Sequence, residues 1–369
     1  RTGTMVGAND HVASAQVYLE ITDRPHVDHL FAPASLTIGE VGRMQLRIDL
    51  IEGITANTVV TNDLPTGFAY LPDSVDVTVP GPPQLEQTVV SINGTELTID
   101  LGTVTNVSDN DSSNDYLLVD FDIQVLNHPS NENGAQRSNI ARVASGGLLN
   151  EQIQDIKILE PLLDVTGEIL FPKPAADVDA GDLIQYRVVI EHTADSSSDA
   201  FDVSFASLLN AAGPELTVET VQSFTASAGV IILAPLSVAV DDTSLSASFD
   251  LPLGESVEVI FDVLVSGVIA PGQSLLNEAT ADWVSLKDSP PQSRDGSDGV
   301  GGLNDYVAMA TPTINVEPLM QPVVQAAPGT LRIGETGHFY VRVWLIEGPT
   351  DPLVVTHQFT DQTFVPGTL

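Results

Sequence analysis

The sequence contains no cysteine, which excludes disulfide staples and thiolate-bound zinc, so every folded unit must be held by its own core. Positive charge is nearly as scarce. Thirteen Lys and Arg stand against fifty Asp and Glu, leaving a formal net charge of -37 and a pI near 4.1. That balance makes nucleic acid and anionic membrane poor partners. It fits a medium whose salt or calcium screens the self-repulsion. Aromatic residues make up only 5% of the chain. No apolar run reaches the roughly 20 residues a membrane helix needs. The chain opens at Arg1 on polar residues with neither signal peptide nor initiator Met, and so reads as an internal piece.

What is present is short, β-branched and alternating. QLRIDL at 45–50 and YRVVIEH at 186–192 alternate apolar and polar residues, as strands with one buried face do. In VVSINGTELTID at 89–100 the pair Asn93-Gly94 predicts a type I′ hairpin turn. No segment keeps a 3.6-residue apolar period, and 24 Pro and 28 Gly punctuate the chain. The fold class is therefore all-β. At 369 residues the chain exceeds one sandwich of about 100 to 150 residues, so tandem antiparallel sandwiches are expected.

An internal repeat sets the domain plan. LTIGEVGRMQLRIDLIEG at 36–53 returns as LRIGETGHFYVRVWLIEG at 331–348, with Gly39 answered by Gly334, 295 positions on, and Arg47 by Arg342. Val59-Val60-Thr61 returns as Val354-Val355-Thr356, and Asn9-Asp10 as Asn304-Asp305, at the same separation. A weaker copy lies between: DVDAGDLIQYRVVIEH at 177–192 follows the opening pattern, Phe261-Asp262 matches Phe121-Asp122, and NEATADWVS from Asn277 resembles NIARVAS from Asn139. Proline-bearing junctions, DRP at 23–25, EPLL at 160–163 and EPLM at 317–320, separate the copies. The predicted map is a closing strand at 1–25, sandwiches at 26–160 and 161–317, and an opening half-sandwich at 318–369. The last would need covering, by further chain or by strand exchange with another copy.

These opening strands, the NTVVTNDLPTGFAYLPDSV segment at 57–75, and the closing LLNEATADWVSLKD with its SRDGSDGVGGLNDYVAMATPTINV extension resemble the conserved-repeat immunoglobulin-like domain of large bacterial and archaeal surface proteins. That family includes isopeptide-forming fimbrial and adhesin relatives. The resemblance implies an immunoglobulin-like sandwich fold and an extracellular, cell-surface role as stalk, filament or adhesin. The second copy departs from it at SFASLLNAAGPEL, where the turn of the first copy is missing. The resemblance also raises a Lys-Asn isopeptide bond. Of Lys157, Lys173 and Lys287, only Lys173 pairs plausibly, with Asn277; the alternative is a surface Lys and a strand-edge Asn.

Catalytic signatures are missing from the sequence: no nucleophile elbow, no phosphate loop, no zinc-protease helix, and seven scattered His. The chain therefore reads as no enzyme. His26 and His29 lie close together near a junction and read as surface residues. Two loops concentrate oxygen ligands for calcium: Asp109, Asp111 and Asp115 in 108–115, and Asp295, Asp298, Asn304 and Asp305 in 295–305. The same residues are ordinary turn formers. Glu160 and Glu317 read as exposed linker carboxylates or ligands of an ion at the junctions. The leading function is a structural array, stalk or filament whose partners are its own copies or neighbouring repeats. The alternative is an adhesin that recognises a glycan or protein. A sugar site would need clustered aromatics, and Trp283 and Trp344 both fall in strand-like segments that predict core or half-buried roles.

Overall fold

A computed structural model describes residues 25–109, 111–172, 178–209, 215–270, 272–288, 290–316, 322–345, 353–358, 360, 363, 365 and 366. Among them there is no helix. The strands are, in chain order, β1 (His26–Phe31), β2 (Ser35–Thr37), β3 (Val41–Asp49), β4 (Gly53–Asp63), β5 (Phe68–Tyr70), β6 (Asp76–Thr78), β7 (Gln84–Leu85), β8 (Val89–Asn93), β9 (Glu96–Asn106), β10 (Tyr116–Val125), β11 (Gln136–Ser145) and β12 (Leu148–Leu159). There follow β13 (Leu163–Phe171), β14 (Leu183–His192), β15 (Ala200–Leu209), β16 (Leu216–Ala226), β17 (Ile231–Val238), β18 (Ser244–Leu251), β19 (Ser256–Val265), β20 (Ser274–Val284), β21 (Val307–Ala310), β22 (Thr313–Asn315), β23 (Pro322–Ala327) and β24 (His338–Val343).

The described residues divide into two compact units, one taking those in 25–34, 42–124 and 137–156, the other those in 35–41, 125–136 and from 157 onward. The first is built on the sheet β1-β3-β10-β5, with β6 on β10, and on β12-β11-β4-β9-β7, with β8 on β9. Alternation along β3 and β11, broken once in β9 at Gly102-Thr103 and once in β10 at the buried Asp120, turns one face of each sheet inward. Tyr70 on β5 packs edge-on against Phe121 on β10. Its hydroxyl crosses to the other sheet and lies 2.7 Å from both the carbonyl and the side-chain oxygen of Asn62 on β4, two acceptors for its one proton. The second unit holds the sheets β13-β14-β19-β16 and β17-β18-β15-β20-β21, with β22 on β20, and a single core drawn from both. It also holds the parallel pairing of β2 with Lys157–Leu159 and the hairpin β23-β24.

The repeat is legible in the backbone. Gly39, Gly181 and Gly334 have φ of 89°, 88° and 89°, left-handed values that an L side chain resists, and each precedes the opening strand of its copy. Gly39 N–H donates to Val125 and Gly181 N–H to Val265, so the two complete copies close the same turn on the same strand. Thr37 N–H donates to Glu40 Oε2 at 2.8 Å, and Arg332 N–H to Glu335 Oε2 at 2.8 Å. The expected hairpin at 89–100 forms, with a different turn. Asn93 pairs with Glu96, which leaves Gly94-Thr95 as the loop, and positive φ falls on Gly94 but not Asn93. Glycine at the first loop position marks a type II′ turn, so Asn93 is a strand residue rather than a turn residue.

Candidate functional site

A buried ion pair and its hydrogen-bond partners form a cluster in the second unit, around Arg294. Its main chain is clamped to Ser285 at the end of β20: Ser285 N–H donates to Arg294 O at 2.9 Å, and Arg294 N–H donates to Ser285 Oγ at 2.8 Å. Ser285 Oγ–H in turn donates to Ile38 O at 2.9 Å, which ties in the turn before β3. Gly39 backs directly onto this loop. A Cβ there would lie 3.0 Å from Ser293 N, so both space and φ demand glycine.

The guanidinium then runs into the interior. Its Nη1 donates to Glu160 Oε1 at 2.5 Å, Nε to Asn127 Oδ1 at 3.1 Å, and Nη2 to the Asn131 carbonyl at 3.2 Å. Arg294 is 5% exposed and Glu160 4%. Tyr306 adds its hydroxyl to the same Glu160 oxygen at 2.7 Å and stacks on Trp283, whose indole N–H donates to Pro161 O at 3.0 Å. Glu160 N–H donates to Asn133 Oδ1 and Ser197 Oγ, 3.1 Å each. Burial holds the Glu160 carboxyl above its ordinary range, against the opposing pull of Arg294 and Tyr306, and burial also raises the Tyr306 hydroxyl. A cleft of about 500 Å³ opens beside the cluster, lined by Pro129, Leu162, Leu303, Glu132 and Asp305. The cluster holds no nucleophile paired with a base. Its chemistry is that of a lock, fixing four distant stretches of chain in one place.

Glu160 is thus not the exposed linker carboxylate expected from its junction position: it is buried, and the fixed Arg294 cation offsets its desolvation. The sequence reading missed Arg294. Its signal was scarcity, one of thirteen basic residues set inside an acidic glycine loop. Glu317 lies outside the described residues.

In the first acidic loop, Asp109 accepts the Asp111 N–H and Asp111 accepts the Ser113 N–H and hydroxyl, which holds the Asp111 carboxyl below its ordinary range. Asp115 is buried, with one carboxylate oxygen lacking a partner. In the second, Asp295 accepts the Ser297 N–H, Asp298 accepts the Asn304 N–H, and Asn304 accepts from the Asn127 amide at 2.5 Å, while Asp305 lines the cleft. Among the described residues no three His, Asp or Glu side chains converge as a metal cage would need.

Lys173 lies outside the described residues. Asn277 is fully buried; its Oδ1 accepts from Ser207 at 2.7 Å and its Nδ2 has no partner. The matching Asn139 of the first unit exchanges two 2.8 Å hydrogen bonds with Asn62 and accepts from His29 Nε2 at 2.7 Å. His29 is therefore no surface histidine. Burial lowers its pKa, and its other ring nitrogen lacks a partner. His26 does sit at the surface, beside Asp28 and Asp49. Trp283 takes the predicted core role, whereas Trp344 is exposed.

No protein-family model matches the sequence, and no curated protein matches it. Solved structures resemble it at low identity. The C-terminal domain of the AgI/II polypeptide BspA of Streptococcus agalactiae is 11% identical with a TM-score of 0.41, covering 80% of this chain and 100% of that one. A 35 kDa C-terminal fragment of the S. agalactiae major pilin GBS80 is 11% identical with a TM-score of 0.30, covering 74% and 90%. The collagen adhesin CNA of S. aureus is 9% identical with a TM-score of 0.23, covering 80% and 94%. Scores this low carry no functional assignment, so function must be read from the chain's own residues.

Proposed function

We propose that this protein is a non-catalytic structural component of an extracellular, cell-surface array or filament, built from tandem immunoglobulin-like sandwiches and assembled from its own copies. The observation that carries the reading is the repeat at a separation of 295 positions, whose turns at Thr37–Glu40 and Arg332–Glu335 close with the same backbone-to-glutamate hydrogen bond. A chain selected for one catalytic cleft has no need to repeat a whole sandwich pair. A chain selected to set length and present surface does. The Arg294 cluster supports the reading, because it spends a buried ion pair on rigidity. Calcium would act on such a surface by diffuse neutralisation of its carboxylates rather than in a preformed cage.

Copies of so acidic a chain repel one another except where charge is missing. From Thr220 to Val240 the sequence carries no charged residue, its longest such stretch. Its second half forms β17, an edge strand that among the described residues pairs with β18 alone, with Ile231, Ile232 and Leu233 exposed. Sedimentation equilibrium of the whole chain tests the reading: self-association that strengthens with salt is expected, and a monomer at every salt and protein concentration would contradict it.

A further inference from the structure

Alternation along β24 sends its side chains to opposite faces. By the repeat, Phe339, Val341 and Val343 answer to Met44, Leu46 and Ile48, three fully buried core residues of the first copy. Tyr340, Arg342 and Trp344 answer to Gln45, Arg47 and Asp49, which lie half-buried on the outer face of β3. The outer face has changed chemistry between the copies. Arg47 donates to Asp49 Oδ1 at 2.7 Å and lies 4.1 Å above the Tyr116 ring. In the later copy the acid has become Trp344 and the amide Tyr340. The Arg342 guanidinium, with no carboxylate beside it among the described residues, lies 5.5 Å over the Trp344 ring.

On β23, Val323 and Gln325 stand directly opposite Arg342 and Tyr340. These four and Trp344 line a cleft of about 330 Å³, and Tyr340 and Trp344 are 59% and 52% exposed. We propose that this face is a saccharide-binding site for a sugar chain bearing carboxylate or sulfate groups. Two exposed aromatic side chains offer the apolar side of a pyranose a flat surface. The planar guanidinium takes an anionic group through two parallel hydrogen bonds, and the Gln325 amide can both donate to and accept from hydroxyls. Arg342 is the only charged residue among the five, so the local chemistry selects an anion although the chain is acidic. At physiological salt the remaining charge is screened beyond about 8 Å. The cleft sits at the low end of the roughly 300 to 1,000 Å³ range of small-ligand sites, which suits a sugar unit or two.

The inference stands apart from the array reading, because the residues concerned form neither β17 nor the Arg294 cluster. Titration calorimetry on the whole chain tests it with oligogalacturonate, a heparin oligosaccharide and sialyllactose, and with maltoheptaose as the neutral probe. At least one acidic sugar is expected to bind, with maltoheptaose weaker by roughly tenfold or more. Trp344→Ala and Tyr340→Ala, both at exposed positions, should each weaken binding about tenfold with unchanged melting. Arg342→Gln should erase the preference for the acidic sugar, and Arg47→Gln in the first copy should change nothing. Failure of all three acidic sugars to bind, equal affinity for maltoheptaose, or full binding by the Trp344 and Tyr340 variants would overturn the proposal.

Discussion

Arg294 Nη1 donates to Glu160 Oε1 at 2.5 Å across 134 positions of sequence, with both side chains withdrawn from water. Removing one partner leaves the other as an uncompensated buried charge. Arg294→Ala should therefore cost about 3–5 kcal/mol. The double change Arg294→Met with Glu160→Gln, which removes both charges, should cost less than Arg294→Ala alone. Urea titration read by Trp283 fluorescence in a Trp344→Phe background decides between these outcomes, since Trp283 stacks on Tyr306 beside the pair.

Two titrating groups, the buried Glu160 and the half-buried His29, predict opposite pH slopes. Glu160 has a folded pKa above its ordinary value, so the folded state binds more protons, and its contribution is fully present below about pH 4.5 and lost as pH rises through the folded value. His29 has a folded pKa below 6.5. Below that value the unfolded state binds the extra proton, and stability falls as pH drops. Glu160→Gln should flatten the acid-side slope and His29→Gln the slope just below pH 6.5, each in melting temperature against pH.

Sequence periodicity was enough to reach the sheets, because burial on one face forces alternation, and enough to align Gly39, Gly181 and Gly334, because left-handed turns admit few other residues. It could not reach the Arg294 lock, whose partners Asn127, Asn131, Glu160 and Tyr306 come together only through the tertiary fold. Trp344 was misjudged for a related reason. A strand segment has two faces, and only the cleft it shares with Tyr340 and Arg342 and the match to Asp49 show which one it occupies. The turn after Asn93 was displaced by one residue because register, not dipeptide preference, fixed which positions formed the loop.

Charge placed on the uncharged edge should abolish self-association. Ile231→Asp with Leu233→Asp puts two carboxylates on β17 at exposed positions and should leave melting unchanged. It should return the chain to its 39.0 kDa monomer mass in sedimentation. Val300→Asp, at an exposed loop position, is the matched control and should associate as the parent does.

With a formal charge of -37 and carboxylates such as Asp111 held ionised by local hydrogen bonds, the folded state should be sensitive to counterions. Calcium should raise the melting temperature more than sodium at equal ionic strength, because divalent ions neutralise neighbouring carboxylates together. Calorimetry with calcium and with chelator checks this, and coincident curves at matched ionic strength would refute it.

The most direct test of the structural reading is immunogold electron microscopy of native surface material, with antibody raised against this chain. Label in regular rows along filaments or an ordered surface layer is the predicted result. Label confined to the cell interior, or scattered as single molecules with no ordered assembly, would contradict it.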